Sequence, residues 1–252
     1  MTVEARSQWS GWDPLWQRGW EELLSRPSGD GPPALAAFDA DGTLWADDAG
    51  ETMLRVFARE AGLPGRDEDD ILEEYNARVE ADVSAGYAWA VTVMAGGTEA
   101  GVQALARRTM DSFLPSRLFP AMASLVRNLH AHPAWEVVIV SASNRWIVEA
   151  GVAELGLAPT QVMGIEVEVH DGVLGETLQL PLTNGVGKVE ALQKRYGRPP
   201  ALAMGNSMHD APMLAAATER AVAINPSLEL HARAIAENWG MCMLKKGGAR
   251  HD

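Results

Sequence analysis

Residues Ala34 to Trp45 read ALAAFDADGTLW, and this stretch decides the fold. It begins as an apolar run of strand length and then presents two aspartates, Asp39 and Asp41, separated by one residue. A buried strand that ends in polar side chains is typical of the ligand site of a parallel α/β sheet. Residues two apart on a strand point to the same side, so both carboxylates can face one pocket. Two acids held this close repel each other, which predicts a divalent cation, a separation of their pKa values, or both.

The composition of the chain is that of a globular protein with a large core. Of its 252 residues, 47% are apolar and 22% are charged, and the formal net charge is −13. So acidic a chain lacks the basic surface that sequence-independent nucleic-acid binding needs. The single cysteine, Cys242, excludes a disulfide framework and a thiolate zinc cluster. The sequence has no secretory-type start and no apolar run of membrane length, so we expect a cytoplasmic monomer or homodimer without membrane contact.

Four of the nine tryptophans lie ahead of this strand, in residues 1–33. The dipeptide Asp13-Pro14 is a favourable helix start, which predicts a helix over residues 14–24 with two of the tryptophans on one face. We therefore assign residues 1–33 to a Trp-rich helical extension that packs on the main domain. A subunit contact is the second use that such an apolar face suggests.

Residues 46–120 favour helices, without convincing strand alternation. Apolar residues recur at helical spacing over residues 51–61, 68–85 and 98–110, and a further helix is predicted over residues 116–131. A helical insertion directly after a strand that carries acids suggests a lid over the site. We therefore assign residues 46–120 to a helical cap.

The second half of the chain alternates strands and helices. Strands are predicted over residues 135–140, 162–169, 173–180, 201–204 and 221–224. Asp171-Gly172 between the second and third of these is a hairpin signal. The pattern predicts an α/β fold: a Rossmann-like three-layer core with a parallel sheet, formed by residues 34–45 and 121–252, with the small helical cap inserted after its first strand.

Polar side chains collect where the predicted strands and helices meet. They are Asp39, Asp41, Ser141, Lys188, Asn206 and Asp210. Carboxylate and amide oxygens suit Mg²⁺, which also takes a substrate phosphate, and a lysine with a serine hydroxyl suits the other phosphate oxygens. No Ser-His-acid set and no histidine cluster explains these residues better. The set favours phosphoryl transfer, with a carboxylate able to attack phosphorus.

Four motifs in this order resemble those of the haloacid dehalogenase superfamily. DADGT at Asp39, Ser141 after VIV, Lys188 in GVGK and GNSMHD at Asn206 match its first to fourth motifs, within about residues 34–224. The helical segment between the first and second motifs is similar to the cap of phosphoserine phosphatase-like members. True dehalogenases lack the second acid of the first motif, so the resemblance implies a phosphatase.

The resemblance also implies a role for each matched residue. Asp39 would be the nucleophile that forms an aspartyl-phosphate, and Asp41 the acid to the leaving oxygen and then the base toward water. Asp39, the backbone carbonyl of Asp41 and Asn206 would hold Mg²⁺. Asp210 would contact these ligands without binding the metal itself. The phosphate would be bound by Thr43, Ser141, Ala142 and Lys188.

The fourth motif departs from the family pattern, which has an aspartate at the position of Asn206. An amide oxygen can bind Mg²⁺, but the site loses one negative charge, which should weaken metal binding. The alternatives to a phosphatase are therefore a weakened or non-catalytic member that binds phosphate esters, and a phosphotransferase that uses the same intermediate.

Three acids at the start of the cap are candidates for recognising the leaving group: Asp47, Asp48 and Glu51. Their charge would suit a small phosphorylated metabolite that carries an amine, such as phosphoserine, phosphoethanolamine, phosphocholine or histidinol phosphate. The other interpretation is local, with the two aspartates capping a helix and Glu51 as a favourable first-turn charge. Trp45 or Trp89 could add a cation-π wall, and packing is the alternative for both.

Overall fold

The computed structural model describes residues 9–27, 29, 31–60 and 65–246, which fold around one parallel sheet. The described strands are β1 (Ala34–Phe38), β2 (Trp135–Asn144), β3 (Val162–Ile165), β4 (Val167–His170), β5 (Val173–Leu178), β6 (Leu202–Gly205), β7 (Arg220–Ile224) and β8 (Gly240–Cys242). Six of them form a sheet in the order β3-β2-β1-β6-β7-β8, in which every neighbouring pair is parallel. β4 and β5 form a separate antiparallel hairpin, as the Asp-Gly signal predicts.

Helices precede, interrupt and flank the sheet. They are α1 (Pro14–Leu24), α2 (Ala49–Glu60), α3 (Glu68–Ala81), α4 (Val83–Thr92), α5 (Glu99–Phe113), α6 (Pro120–Ala131), α7 (Arg145–Ala153), α8 (Val186–Tyr196), α9 (Ala211–Ala215) and α10 (Leu228–Ala236). None of the helices in the described ranges has the length and apolar character needed to cross a membrane.

Two of the predicted helices differ from the observed ones by a break or by more than three residues at one end. The helix predicted over residues 68–85 is two helices, because Asp82 adopts an extended conformation and its side chain caps the start of α4. The helix predicted over residues 116–131 begins at Pro120, since proline fits best in the first turn of a helix. Helix α1 has the predicted bounds. The predicted helix over residues 51–61 ends beyond the described residues, which stop at Glu60 before resuming at residue 65.

Alternate residues of β1 enter different hydrophobic cores on the two faces of the sheet. Ala36 and Phe38 belong to a core that also includes residues of α1, α6 and α7. Leu35 and Ala37 belong to a second core, with residues of α8, α9 and α10. Because strand side chains alternate between faces, both faces are covered by helices. This is the predicted three-layer Rossmann-like core.

The tryptophan-rich segment packs on this core, as predicted. The rings of Trp12, Trp16 and Trp20 contact one another, with centroids 5.1 to 5.8 Å apart. The indole of Trp12 donates a hydrogen bond of 2.6 Å to the carbonyl of Ala121, at the start of α6. Residues 1–8, 28 and 30 of the predicted extension lie outside the described residues.

Helices α2 to α5 form a cap between β1 and α6. The two chain crossings that join it to the core bond to each other, since the Ala46 amide donates to the Arg117 carbonyl at 2.9 Å. The loop between α4 and α5 bonds to the β4–β5 hairpin, where the Gly96 amide donates to the Leu174 carbonyl at 2.8 Å. The two ends of the cap are thus bonded to each other, and its α4–α5 loop is bonded to the hairpin.

Candidate active site

The sequence-predicted site residues meet at the carboxyl ends of three adjacent strands. Asp39 follows β1, Ser141 lies near the end of β2, and Asn206 follows β6. β1 lies between β2 and β6, which brings these residues together with Lys188 from the first turn of α8. A cavity of about 280 Å³ opens at this edge. Its lining comprises Asp39, Asp41, Gly42, Asp47, Asp48, Tyr87, Ser141, Ala142, Ser143, Asn184, Lys188, Asn206, Ser207, His209 and Asp210.

Lys188 lies at the centre of the site and joins two carboxylates. Its Nζ donates to Asp39 Oδ1 at 2.7 Å and to Asp210 Oδ1 at 2.6 Å. Burial disfavours the charge of the lysine, but Asp210 and Asp39 outweigh this effect and raise its pKa. The Thr43 hydroxyl donates to the other oxygen of Asp39 at 2.9 Å. Asp39 is therefore oriented from both sides.

In the absence of a bound cation, the surroundings of Asp39 disfavour the ionised form of its carboxyl group. Burial raises its pKa to about 7, Asp210 adds to the shift, and Lys188 opposes it. Asp210 itself is held by the fourth-motif loop, where the amides of Asn206 and Ser207 donate to its Oδ2 at 2.9 and 3.0 Å. The charge of a bound cation would favour the ionised form of Asp39.

Asp41 accepts three hydrogen bonds and connects the core with the cap. Its Oδ1 accepts from the Trp45 indole and from the Ala49 amide, each at 2.7 Å. Its Oδ2 accepts from the Ser143 hydroxyl at 2.6 Å. Burial raises the pKa of Asp41, and these three bonds oppose the shift. Ala49 is the first residue of α2, so the carboxyl reaches the beginning of the cap.

The cation-π wall expected from Trp45 or Trp89 is not formed by either residue. Trp45 is fully buried and directs its indole N–H at Asp41. Trp89 instead lies beside Arg78, whose guanidinium carbon is 5.2 Å from the ring centroid. In the described structure the aromatic residues that line the cavity are Tyr87 and His209.

Hydrogen bonds between hydroxyl groups and backbone groups fix the conformation of the second motif. Ser141 is buried, and its hydroxyl accepts from the Ser143 amide at 3.1 Å. The Thr183 hydroxyl donates to the Ser141 carbonyl, which ties the loop before α8 to the end of β2. Ser141 and Ala142 both line the cavity.

Asn206 lies directly against the loop of the first motif. A β-carbon on Gly42 would lie 1.9 Å from Asn206 Nδ2 and 3.2 Å from its Oδ1, so only glycine permits this approach. No group of three or more His, Cys, Asp or Glu side chains in the described ranges is arranged to hold a metal. The implied donors differ from such a cluster, because they are the Asp39 carboxylate, the Asp41 carbonyl and an amide. Oxygen donors of this kind fit Mg²⁺.

The three acids of the cap entrance have different surroundings. Asp47 forms ion pairs with Arg117 at 3.0 Å and Lys246 at 3.1 Å. The bond from Lys246 lowers the pKa of Asp47, and Arg117 adds to the effect. Glu51 pairs with Arg55 at 2.6 Å, and it is not among the residues that line the cavity.

Asp48 is the acid of this group that faces the cavity without an ion pair in the described structure. Its Oδ1 accepts from the Glu51 amide at 2.8 Å, so it also caps α2. Burial raises the pKa of Asp48 to about 7, with added repulsion from Asp41 and Glu51. The local interpretation and the recognition interpretation of Asp48 are therefore compatible.

Six residues that line the cavity are not among the site residues predicted from the sequence: Gly42, Tyr87, Ser143, Asn184, Ser207 and His209. The rings of Tyr87, in α4, and His209, after β6, lie 6.4 Å apart between centroids. Burial and the charge of Asp48 raise the pKa of Tyr87 to about 12. Asn184 donates to the Ser84 hydroxyl of the cap at 2.9 Å. No sequence signal separates Tyr87 from the apolar residues around it, whereas Asn184 and Ser143 each adjoin a recognised motif.

Size alone does not identify the site. A larger cavity of about 650 Å³ lies between α5 and α7, where its walls include Met110 and Trp146. Its lining contains none of the four motif residues Asp39, Ser141, Lys188 or Asn206. The smaller cavity, in which these residues meet, is the candidate active site.

Comparison with known proteins identifies the family. The family model of haloacid dehalogenase-like hydrolases matches residues 36–215, more than half of the chain. The protein therefore belongs to the haloacid dehalogenase-like hydrolases. No curated protein matches the chain significantly.

Solved structures share the fold. A protein of unknown function from Bordetella pertussis Tohama I is 25% identical, with a TM-score of 0.69 over 84% of this chain and 98% of that one. A functionally unknown protein from Anaerococcus prevotii DSM 20548 is 15% identical, with a TM-score of 0.69 over 92% of each chain. A phosphoserine phosphatase, solved as a phospho-aspartyl intermediate analogue, is 18% identical, with a TM-score of 0.53 over 86% of this chain and 95% of that one. The predicted likeness of fold to phosphoserine phosphatases is thus confirmed.

Proposed function

We propose that the protein is a magnesium-dependent phosphomonoesterase that acts on a small phosphorylated metabolite bearing an amine. The observation that carries this proposal is the buried contact of Asp39 with Lys188 beside Asp41. This contact brings together a carboxylate that is able to attack phosphorus, a buried positive charge and a second carboxyl. Membership of a hydrolase family supports the same reaction class.

Asp39 is the nucleophile in this proposal. One of its oxygens attacks phosphorus and forms an aspartyl-phosphate, while the bond from phosphorus to the ester oxygen breaks. Thr43 and Lys188 hold the carboxylate from two sides, so little conformational freedom is left for the carboxylate to lose before it attacks. The Lys188 ammonium also offsets negative charge on the transferring group.

Asp41 moves the protons. Its protonated carboxyl gives a proton to the leaving oxygen, so that an alcohol departs rather than an alkoxide. The resulting carboxylate takes a proton from the water that attacks the aspartyl-phosphate. Phosphate then leaves, and both aspartates return to their starting states.

Mg²⁺ would be held by Asp39, the backbone carbonyl of Asp41 and Asn206. When bound, it supplies positive charge to the phosphate oxygens and the attacking carboxylate. Asp210 acts behind these donors, because it fixes Lys188 and the amides of the fourth-motif loop. On the phosphate side, Ser141 and Ala142 form the wall that receives the remaining oxygens, with Thr43 behind Asp39.

The charge of the cavity supports an amine on the substrate. Five aspartates and one lysine line the cavity, so acidic groups outnumber basic ones where the substrate would bind. Asp48 lines the cavity and forms no ion pair in the described structure, so its carboxylate can receive an ammonium group, whereas Asp47 is already paired with two cations. Tyr87 adds an aromatic wall on which a cation can rest.

Turnover of p-nitrophenyl phosphate with magnesium or with EDTA tests the reaction type. We expect turnover only with magnesium. A panel of phosphoserine, phosphoethanolamine, phosphocholine and histidinol phosphate, with glycerol 2-phosphate as the uncharged-alcohol control, then tests the amine. Phosphate-ester binding without turnover would instead establish a non-catalytic binder, and phosphoryl transfer to an added alcohol would establish a phosphotransferase.

A further inference from the structure

We propose that Trp45 and Ser143 are positioning residues for Asp41, which orient its carboxyl so that Oδ2 delivers the proton to the leaving oxygen. The inference rests on the proposed function, because it concerns the acid step of phosphate-ester cleavage. It extends that function to two residues whose side chains touch Asp41 rather than the phosphate.

The partners of Oδ1 exclude it as the proton carrier. The Trp45 indole and the Ala49 amide both donate to this oxygen at 2.7 Å. Each of these groups can donate a hydrogen bond and cannot accept one. A hydrogen on Oδ1 would therefore face two other hydrogens, and the transferable proton belongs on Oδ2.

The partner of Oδ2 suits both states of the acid. The Ser143 hydroxyl lies 2.6 Å from this oxygen, and a hydroxyl can either donate or accept. As a donor it can hold Oδ2 in both states, which leaves the hydrogen of the protonated carboxyl available for the leaving oxygen. Ser143 also lines the cavity, whereas Trp45 and Ala49 are not among the lining residues. Oδ2 is thus the oxygen on the side of the substrate.

Packing holds both positioning residues in place. A β-carbon on Gly151 of α7 would lie 2.7 Å from the Trp45 ring, so the ring is pressed against that helix. A β-carbon on Gly50 would lie 2.6 Å from the Ser143 hydroxyl oxygen. The first turn of the cap helix α2 therefore closes over Ser143 and leaves the hydroxyl little room to turn away from Asp41.

Two esters of similar shape separate this role from a structural one. Phenyl phosphate and p-nitrophenyl phosphate differ mainly in the leaving oxygen, since the nitro group makes the departing phenolate far more stable. Only phenyl phosphate depends strongly on a proton from Asp41. We would measure kcat/KM for both esters with the wild type, Ser143→Ala and Trp45→Phe, and confirm folding by thermal melting.

Two control variants remove an indole N–H and a hydroxyl at positions that do not contact Asp41. Trp146→Phe deletes an indole N–H that donates to Glu99 at 3.0 Å, in a side chain as buried as Trp45. Ser124→Ala deletes a hydroxyl that bonds to backbone at 2.8 Å, away from the cavity. Both controls should keep the wild-type ratio of the two kcat/KM values.

We expect Ser143→Ala and Trp45→Phe to lower kcat/KM for phenyl phosphate about tenfold or more. This loss is part of the roughly 10²–10⁴-fold that general acid catalysis supplies in total. For p-nitrophenyl phosphate the loss should stay below about threefold. Folded variants that lose both activities equally, or neither, would overturn the inference and leave the proposed function intact. A wild type that hydrolyses neither ester with magnesium would overturn the proposed function, and this inference with it.

Discussion

Lys188 donates a hydrogen bond of 2.7 Å to Asp39 across 149 residues of sequence. The lysine side chain is 1% exposed and that of Asp39 is 8% exposed. Lys188 also holds Asp210, so one ammonium keeps two buried carboxylates compatible with each other. A buried charge that loses its partner is strongly destabilising, which makes this contact important for folding as well as for chemistry.

Lys188→Met should lower both activity and stability. The methionine has a similar length but leaves two buried carboxylates without their cation, so we expect a loss of about 3–5 kcal/mol in the free energy of unfolding. Turnover should fall by roughly 10²-fold or more, as for the loss of other fixed charges at a reacting centre. Lys194→Met, on an exposed part of the same helix, is the control. Equal effects of the two variants on melting and turnover would refute this role of Lys188.

Asn206→Asp should strengthen the response to magnesium. The substitution adds a carboxylate where the amide now lies against Gly42. We expect the magnesium concentration for half-maximal turnover to fall roughly tenfold, because a hard cation gains a charged ligand. Asn184→Asp adds the same charge elsewhere in the cavity and should shift the midpoint less. An unchanged titration of Asn206→Asp would count against Asn206 as a ligand.

Asp48→Asn should impair amine-bearing substrates selectively. We expect KM for phosphoethanolamine to rise about tenfold, the loss of one charge-assisted contact, with little change for p-nitrophenyl phosphate. Asp47→Asn is a matched control at the next position, since its carboxylate is engaged by Arg117 and Lys246. If both variants change the KM of phosphoethanolamine to the same degree, Asp48 does not recognise the amine.

The stability of the metal-free protein should rise as the pH falls from about 8 toward 5. The folded pKa of Asp48 is about 7, above its ordinary value of 3.8, so in this window the folded state binds a proton that the unfolded state has lost. Asp39 contributes with the same sign. Asp48→Asn should therefore flatten the dependence and stabilise the protein at pH 8, by on the order of 1–4 kcal/mol. Melting temperatures in EDTA that fall with decreasing pH over this range would contradict the shifts.

Much of the fold could be predicted because its signals are local. The apolar run of β1 and the Asp13-Pro14 start of α1 specify their elements within a few residues of sequence. The break at Asp82 cannot be predicted from the sequence pattern, because apolar periodicity continues on both sides of it. Strand β8, with three residues, is too short to carry a pattern and depends on its pairing with β7.

The site, too, has residues that local motifs predict and contacts that only the folded chain creates. Asp39, Ser141 and Lys188 follow from motifs, and the order of parallel strands explains why they meet. The partners of Asp47 could not be predicted, because Lys246 lies 199 residues away and approaches only in the folded chain. Trp45 and Asp41 are only four residues apart in the sequence. Their contact still could not be predicted, because packing decides where the buried indole points.

Trapping the covalent intermediate tests the nucleophile most directly. The wild type would be mixed briefly with p-nitrophenyl phosphate and magnesium, quenched in acid, reduced with borohydride and analysed by peptide mass spectrometry. Borohydride converts an aspartyl-phosphate to homoserine and leaves a free aspartate unchanged. We predict homoserine at position 39 in the wild type, and neither homoserine nor turnover in Asp39→Asn. Turnover by the wild type without any modification of Asp39, or near-full activity of Asp39→Asn, would contradict Asp39 as the nucleophile.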